Sequence, residues 1–138
     1  MRALVQRVSG ASVSVDGREV SAIGPGMLIL LGVRKGDSEE QAEKVAAKLL
    51  KLRIFEDDEG RMNEPLGERE ILCISQFTLY GDARKGNRPS WMEAAGGEEA
   101  EPLYDLVCEK LGAKKGVFGA DMKVELVNDG PVTMVLET

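Results

Sequence analysis

The alternation of apolar and polar residues predicts a chain built mainly from strands. Residues 3–8 and 11–15 are rich in β-branched side chains and alternate in part, and the Asp16–Gly17 dipeptide that follows is typical of a tight turn. This pattern predicts an N-terminal β-hairpin. The apolar runs 27–33 and 71–74 are too short for helices and have no polar face, which indicates strands buried on both sides.

Two amphipathic helices are predicted as well. Ser38 and Gln41 have the spacing of a capping box, and the apolar residues behind them recur at helical intervals to about Leu52. A second helix is indicated by a similar spacing, with Pro102 in its first turn and Gly112 as its C-terminal cap. The apolar residues that define this second helix are Leu103, Leu106, Val107 and Leu111.

The C-terminal segment predicts two further strands. Residues 122–128 and 132–137 alternate on either side of an Asp-Gly-Pro turn. The order of strands, helix, strand, helix and strands favours one α/β domain over residues 1–138. We expect a mixed sheet, rolled or barrel-like, with two main helices packed on it.

The chain contains no histidine, and this absence narrows the possible chemistry. Ser-His-Asp and Cys-His catalytic groups, histidine zinc sites and imidazole acid–base catalysis are all excluded. The two cysteines, Cys73 and Cys108, are too few for a disulfide scaffold or a zinc site. The sequence therefore predicts no metal and no other cofactor.

Charge and hydropathy restrict the class of partner. With 18 basic and 24 acidic residues, the net charge of −6 argues against coating of nucleic acid by bulk positive charge but leaves room for a local basic patch. No apolar run approaches the ~20 residues of a membrane helix, and the N-terminus does not resemble a signal peptide. We therefore expect a soluble, cytoplasmic protein without a membrane partner.

The residues that follow the apolar run 71–74 form the first candidate site. Ser75, Gln76 and Thr78 place polar side chains where a strand should be buried, and such burial costs a few kcal/mol unless the groups find partners. They are either hydrogen-bonded residues of a strand end or, with Phe77, the wall of a substrate pocket. A hydroxyl nucleophile would need a base that the sequence does not show.

The segment from Asn128 to Thr133 is the second candidate. Asp129 and Gly130 explain a turn, but Pro131 removes a backbone donor where the last strand should begin to pair. A cis peptide bond before Pro131 is one alternative, and a trans turn is strongly favoured from the residues alone. Because Gly130 and Pro131 offer no side-chain chemistry, a site here would recognise shape through main-chain oxygens.

The third candidate is the densest basic stretch of the chain. Arg84, Lys85 and Arg88 lie in a segment with glycine and proline, so they could bind phosphates, with Trp91 as a stacking face or as an apolar plug. The alternative is a solvated loop. Lys114–Lys115 is a smaller basic cluster.

These segments resemble the D-aminoacyl-tRNA deacylases, homodimeric enzymes of tRNA quality control. The two family signatures, S-Q-x-x-L and N-x-G-P-x-T, are intact at 75–79 and 128–133, and the resemblance spans nearly the whole chain. Phe77 and the Val132–Thr133 context favour the bacterial type, whereas Trp91 stands where the family more often has Phe. The other matching segments are 6–8 with 11–13, 31–33, 53–55, 62–63, 85–86 with 88–90, and 116–122.

The resemblance implies hydrolysis of the ester between a D-amino acid, or glycine, and the 3'-terminal adenosine of tRNA. In the family the Gly-Pro pair is cis and enters the partner subunit's site. Carried over to this chain, the resemblance implies that the carbonyl oxygens of Gly130 and Pro131 would crowd an L side chain and leave the D-direction open, which is chiral proofreading. Arg7 would orient this motif, and Asn128 and Thr133 would complete the substrate-binding segment.

The same resemblance implies that residues 75–78 are the catalytic group that lines the aminoacyl-adenosine end. Without imidazole, the substrate's own 2'-hydroxyl would help to activate water. Arg84, Lys85 and Arg88 remain the candidates for binding tRNA phosphates.

Two other kinds of protein fit the same loops. One is a module that binds a small ligand or an RNA end without hydrolysis, and the other is a purely structural dimer. Turnover of a D-aminoacyl-tRNA by substoichiometric protein separates an enzyme from both.

Overall fold

The computed structural model describes residues 1–138 and confirms the predicted fold class, a mixed sheet with two helices packed on it. None of its helices has the length and apolar character that crossing a membrane requires. Along the chain the elements are β1 (Arg2–Val15), β2 (Arg18–Ile23), β3 (Gly26–Gly32), α1 (Glu39–Lys51), β4 (Phe55–Glu56), β5 (Met62–Glu64), β6 (Glu70–Ser75), a 3-10 helix (Phe77–Tyr80), α2 (Gly97–Leu111), β7 (Lys114–Lys115) and β8 (Lys123–Glu137).

Strand β1 organises the sheet, because both of its edges are paired along most of its length. One edge pairs with β3 at residues 2–8 and with β2 at residues 11–15, so the predicted hairpin is confirmed. The other edge pairs antiparallel with β8. β3 continues into a parallel pair with β6, which in turn pairs with β7. Since β2 also contacts β6 and β7, the sheet curls towards a barrel.

The curled sheet has an apolar core on each face, which confirms the strands predicted to be buried on both sides. On one face, Met27, Ile29 and Leu31 of β3 pack with the buried sides of both helices. On the other face, Leu28 of β3 and Leu72 of β6 pack with side chains of β1 and β2. The carboxyl end of β6 therefore lies between two apolar cores.

Both predicted helices form, and one detail of the second differs. The main-chain N–H of Ser38 donates to Gln41 Oε1 at 2.7 Å, as the capping box predicts. The helix α2 begins at Gly97, so Pro102 lies inside it, and the prediction of Pro102 in the first turn is wrong. The earlier start is favoured by two glutamates in the first turn, which stabilise the positive end of the helix dipole. Gly112 ends the helix in the left-handed conformation, with φ +62°.

The C-terminal segment is one strand instead of the predicted two. β8 runs beside β1 without reversing, and the predicted turn is a bulge within it. Gln6 pairs with Thr133 and Val8 pairs with Asn128, so four residues of β8 face a single residue of β1. Pro131 fits in this bulge because a bulged residue has no ladder hydrogen bond to donate.

Candidate active site

A cavity of about 530 Å³ opens at the carboxyl end of β6. It forms where the chain leaves the sheet at Gln76, with φ −143° and ψ 80°, and enters the 3-10 helix. The N-terminal end of α2 and residues 118–122 complete its walls, and nine of its 14 lining residues are hydrophobic. A mainly apolar pocket with a few polar groups is typical of small-molecule binding sites.

Three of the four predicted catalytic residues line this cavity. Ser75, Gln76 and Phe77 form part of its wall, and Phe77 remains 53% exposed. Thr78 is exposed and lies outside the lining, where its Oγ1 accepts a hydrogen bond from the side-chain amide of Gln76. The first N–H groups of the 3-10 helix have no acceptor within that helix, so they are available to oxygen atoms of a ligand.

The cavity has very little ionisable chemistry. Asp121 is the one ionisable side chain in its lining. Cys73 lies two residues before Ser75 but is completely buried, and its hydrogen bond with Cys108, together with burial, raises the pKa of its thiol. A reactive thiolate is therefore absent there. Any reaction in this cavity rests on hydroxyl, amide and main-chain groups with one carboxylate.

Sequence reasoning missed two parts of the cavity wall, the N-terminal end of α2 and the segment of residues 118–122. This segment has neither helical nor strand periodicity, so no local pattern assigned it to a site. A signal was present in Gly116, which lets the segment approach β6. A Cβ at this glycine would lie 2.6 Å from Met122 Sδ and 3.1 Å from Ile74 Cδ1. A glycine after a helix, followed by an apolar run without periodicity, indicates such a close approach.

Arg7 lies against the bulge that carries the Gly-Pro pair. It is only 5% exposed, and its guanidinium donates to the main-chain oxygens of Ile54 at 2.7 Å and Asp129 at 3.1 Å. Gly130 adopts φ +112°, and a Cβ at this position would collide with Arg7 Nη2 and lie 3.2 Å from Val132 Cγ2. The backbone therefore approaches the guanidinium as closely as only glycine permits.

Asn128 and Thr133 hold the two ends of the bulge together. Asn128 Nδ2 donates to the main-chain oxygens of Arg7 and Val132, both at 3.0 Å. Thr133 Oγ1 donates to Asn128 Oδ1 at 3.4 Å and accepts a hydrogen bond from Gln6 Nε2 at 3.2 Å. The structure thus brings three of the predicted substrate-binding residues together as supports of the Gly-Pro segment.

The Gly-Pro segment and the cavity lie apart within one chain. Arg7 of β1, opposite the bulge, pairs with Met27 of β3, and Met27 pairs with Ile71 of β6. Ser75, at the cavity, pairs with Leu31 and lies four residues further along β6. Four residues along β6 correspond to about 13 Å, and β1 and β3 also intervene. Neither residue of the Gly-Pro pair lines the cavity.

The cis peptide bond expected between Gly130 and Pro131 is not found. The structure contains no cis peptide bond, so this bond is trans, and the expectation from the family is wrong for the chain as it stands. The trans isomer is intrinsically favoured by about 0.5–1 kcal/mol for X-Pro bonds. The extra residues of the bulge accommodate it within β8.

The predicted tRNA-binding residues lie in a loop closed by an antiparallel bridge between Asp82 and Ser90. Two hydrogen bonds of 2.9 and 2.7 Å join Arg84 to Asp82. This contact lowers the pKa of the Asp82 carboxyl to about 2. Lys85 and Arg88 are exposed and form no ion pair, so they are the cations of this loop that are free to bind phosphates.

Comparison with known proteins gives consistent results. The family model described as D-Tyr-tRNA(Tyr) deacylase matches residues 4–137. Relatives from Myxococcus xanthus and Dehalococcoides mccartyi, both named D-aminoacyl-tRNA deacylase, are 55% and 52% identical over 100% of this chain and 95% of their own length. A solved structure titled c-Myc DNA Unwinding Element Binding Protein is 43% identical, with a TM-score of 0.94 over 100% of this chain and 99% of that chain.

A probable eukaryotic D-amino acid tRNA deacylase shares the fold at 17% identity, with a TM-score of 0.83 over 98% of this chain and 97% of that chain. The full-length matches above 50% identity and the family model agree with the two signatures at the cavity and at the bulge. The prediction of an enzyme of this kind is confirmed, and the chain belongs to the D-aminoacyl-tRNA deacylase family.

Proposed function

We propose that this chain hydrolyses the ester that joins a D-amino acid to the 3'-terminal adenosine of tRNA. The observation that carries the proposal is the cavity of about 530 Å³ whose wall includes Ser75, Gln76 and Phe77. This volume is within the ~300–1,000 Å³ of pockets that hold small organic ligands. It suits one terminal nucleoside with its aminoacyl group, and the family supplies the reaction class.

Water is the attacking group in this proposal, because the cavity offers no histidine, thiol or lysine. The N–H groups at the start of the 3-10 helix are suited to stabilise negative charge on the ester carbonyl oxygen. The substrate's 2'-hydroxyl lies next to the ester and helps to activate water. Ser75 and Thr78 bind and orient in this scheme, since the Thr78 hydroxyl is already bonded to Gln76.

Chirality is read by the main chain in this proposal. The carbonyl oxygens of Gly130 and Pro131 occupy the direction of an L side chain and leave the D-direction open. A main-chain selector works only if the backbone is fixed, and Arg7 and Asn128 hold this backbone through hydrogen bonds to main-chain oxygens. Glycine has no side chain to reject, so glycyl-tRNA is a second substrate.

The selector acts on the cavity of a second copy of the chain. The register of β1, β3 and β6 keeps the Gly-Pro pair away from its own cavity. Val127, Met134 and Val135 of β8 flank the bulge with exposed apolar side chains, and a second copy would cover them. A two-fold dimer places each Gly-Pro pair in the other chain's site.

The contacts to phosphates and the cellular location of the protein both follow from a tRNA substrate. Lys85 and Arg88 contact tRNA phosphates, and Arg84 contributes less because of its ion pair with Asp82. Residues 1–138 act as one deacylase domain in the cytoplasm, where charged tRNA is used, and serve chiral proofreading in translation.

The decisive experiment compares hydrolysis of D-Tyr-tRNA, glycyl-tRNA and L-Tyr-tRNA at substoichiometric protein. We expect multiple turnovers with the first two and little cleavage of the third. Cleavage of L-Tyr-tRNA at a comparable rate would refute the main-chain selector. Light scattering under the same conditions reports the assembly state, and an active monomer would refute the cross-subunit site.

Subunit mixing tests the shared site directly. In a Gly130→Ala chain the new methyl group distorts the Gly-Pro segment that enters the partner's cavity, and a Gln76→Ala chain has an altered cavity. Each variant alone should therefore hydrolyse D-Tyr-tRNA slowly. After dissociation and reassembly, each mixed dimer contains one site with both parts intact, and roughly a quarter of the sites recover. Activity equal to the average of the two variants would contradict the arrangement.

One observation favours a second candidate function. The similar structure at 43% identity is titled as a protein that binds a DNA element. A nucleic-acid-binding module without hydrolysis is therefore the alternative, and stoichiometric binding of D-Tyr-tRNA without turnover would support it.

A further inference from the structure

We propose that Phe77 and Trp91 form a stacking platform for the nucleotides that precede the terminal adenosine of the tRNA acceptor end. The inference rests on the proposed function and extends it from the aminoacyl-adenosine cavity to the single strand that leaves this cavity.

The two rings form one surface that begins at the cavity. Phe77 lines the cavity, and its ring lies 5.3 Å from that of Trp91 at an interplanar angle of 71°. Trp91 is 41% exposed, so it is not a buried apolar plug. A Cβ at Gly81 would lie 2.6 Å from Trp91 Cζ3, which shows that the indole rests on the main chain of Gly81. The indole is thereby fixed in place while part of it stays open to a ligand.

Two free cations lie in the loop that leads into this surface. The basic loop closes at the Asp82–Ser90 bridge, and Trp91 is the next residue along the chain. Lys85 and Arg88 in this loop are exposed and unpaired, although the chain carries a net charge of −6. Aromatic faces next to a few cations are the usual arrangement for binding single-stranded nucleic acid, in which bases stack and phosphates contact the cations.

The position of the platform selects the nucleotides that it binds. A cavity of about 530 Å³ holds the terminal adenosine and its aminoacyl group, so the preceding nucleotides lie outside it. Phe77 belongs both to the cavity wall and to the platform, so the strand that leaves the cavity passes over it. Stacking on aromatic rings tolerates any base, which suits an enzyme that acts on many tRNAs with the same CCA end.

A fluorescence titration tests the platform without any catalytic step. Trp91 is the only tryptophan of the chain, so its emission reports this surface alone. The probe is the trinucleotide CCA, with binding followed independently by calorimetry and adenosine as the comparison ligand. We expect CCA to quench the Trp91 emission saturably, with the same midpoint concentration as the binding measured by calorimetry. Adenosine should quench the emission less. Absence of CCA binding, or binding that leaves the emission unchanged, overturns the proposal even if the deacylase activity is intact.

Kinetics with two substrates supply the second test. Trp91→Leu keeps an apolar side chain on Gly81 but removes the aromatic face, and Trp91→Phe keeps the face. We expect Trp91→Leu to raise KM for D-Tyr-tRNA about tenfold, as loss of one stacked base predicts. Trp91→Phe should recover most of this loss, and D-tyrosyl-adenosine should be affected much less. An equal rise in KM for both substrates would show that Trp91 acts only through Phe77, and would overturn the proposed platform.

Met92→Ala is the matched control for these variants. Met92 is the neighbouring residue and is 79% exposed, but it belongs to neither ring contact. It should leave KM for both substrates unchanged. A rise in KM for D-Tyr-tRNA equal to that of Trp91→Leu would also overturn the proposal, because it would assign the effect to apolar surface in general.

Discussion

Replacement of Gly130 by alanine is the perturbation that best tests the coupling between the bulge and Arg7. Gly130 has φ +112°, and a Cβ there would collide with Arg7 Nη2. An exposed arginine would move aside, but Arg7 is 5% exposed and donates to two main-chain oxygens. Either the backbone of the bulge or the guanidinium must therefore move.

The expected loss of stability combines two contributions. An alanine at a positive φ of this size costs about 1–3 kcal/mol. Displacement of the guanidinium loses at least one hydrogen bond of a charged group, which contributes about 1.5–3 kcal/mol. We therefore expect Gly130→Ala to lower the free energy of unfolding by about 4 kcal/mol. For a chain of 138 residues this corresponds to a fall in Tm of roughly 10–15 °C.

Gly86→Ala is the matched control for the backbone contribution. Gly86 has φ +127°, and a Cβ there would meet no heavy atom within 4 Å. This variant should show the backbone cost alone, about 1–3 kcal/mol. Denaturant unfolding of both variants separates the two contributions, and single-turnover deacylation measures the functional effect. If the Gly-Pro segment is the selector that we propose, a shift of about 1 Å should reduce the rate with D-Tyr-tRNA about 100-fold.

Equal losses in the free energy of unfolding for Gly130→Ala and Gly86→Ala would contradict a collision between the new methyl group and Arg7. A double-mutant cycle with Arg7→Met makes the test sharper, because methionine lacks the guanidinium that collides with the new methyl group. Gly130→Ala should cost about 2 kcal/mol less in that background. Additive effects would show that Arg7 is not the group that the methyl displaces.

Three further variants test the neighbouring chemistry. Thr78→Ala should keep its single-turnover rate within about tenfold of the parent's, because removal of an obligatory nucleophile would lower the rate by many orders of magnitude. Mass spectrometry of the parent should show no acyl-enzyme, and an aminoacyl ester trapped on Thr78 would contradict this. Asp82→Asn should free Arg84 for a third phosphate contact. The salt slope of tRNA binding, which is the decrease of log affinity with log salt concentration, should then rise from about 1.4 to about 2.1, at ~0.7 per contact. In the parent the slope should be equal at pH 5 and 8, because the pKa of Asp82 is lowered to about 2 and the ion pair is lost only as pH falls towards it. Tyr80→Phe should raise the free energy of unfolding by about 1 kcal/mol, since the Tyr80 hydroxyl is buried without a partner. A lower free energy of unfolding, measured by chemical denaturation, would contradict this.

The elements that the sequence predicts well are those encoded by short segments. The capping box at Ser38 and Gln41 and the apolar runs of β3 and β6 determine their own structure, because capping groups and buried strand faces need only nearby residues. The same holds for the placement of Ser75 to Phe77 at a strand end, where a cavity is found. The role of these residues in catalysis stays a prediction.

The elements that the sequence predicts poorly depend on distant partners. Asp129 and Gly130 have the local chemistry of a hairpin turn, but pairing of both flanking segments with β1 makes the region a bulge. That outcome depends on contacts such as the hydrogen bond from Gln6 to Thr133, far apart in sequence. Likewise, a count of cations in the basic loop cannot show that Arg84 is bound by Asp82.

The buried position of Arg7 fits the proposed main-chain selector. A site without imidazole can discriminate between mirror-image substrates by shape, and shape selection by main-chain oxygens requires a backbone that does not yield. Burial of a guanidinium is unfavourable unless its donors are satisfied. Here Arg7 meets the main-chain oxygens of Ile54 and Asp129, with the Asp129 carboxylate at 3.5 Å. The bulge and the arginine therefore stabilise each other. Changes to Arg7 or to the bulge should alter the ratio of D- to L-aminoacyl-tRNA hydrolysis more than changes to the hydroxyls of the cavity.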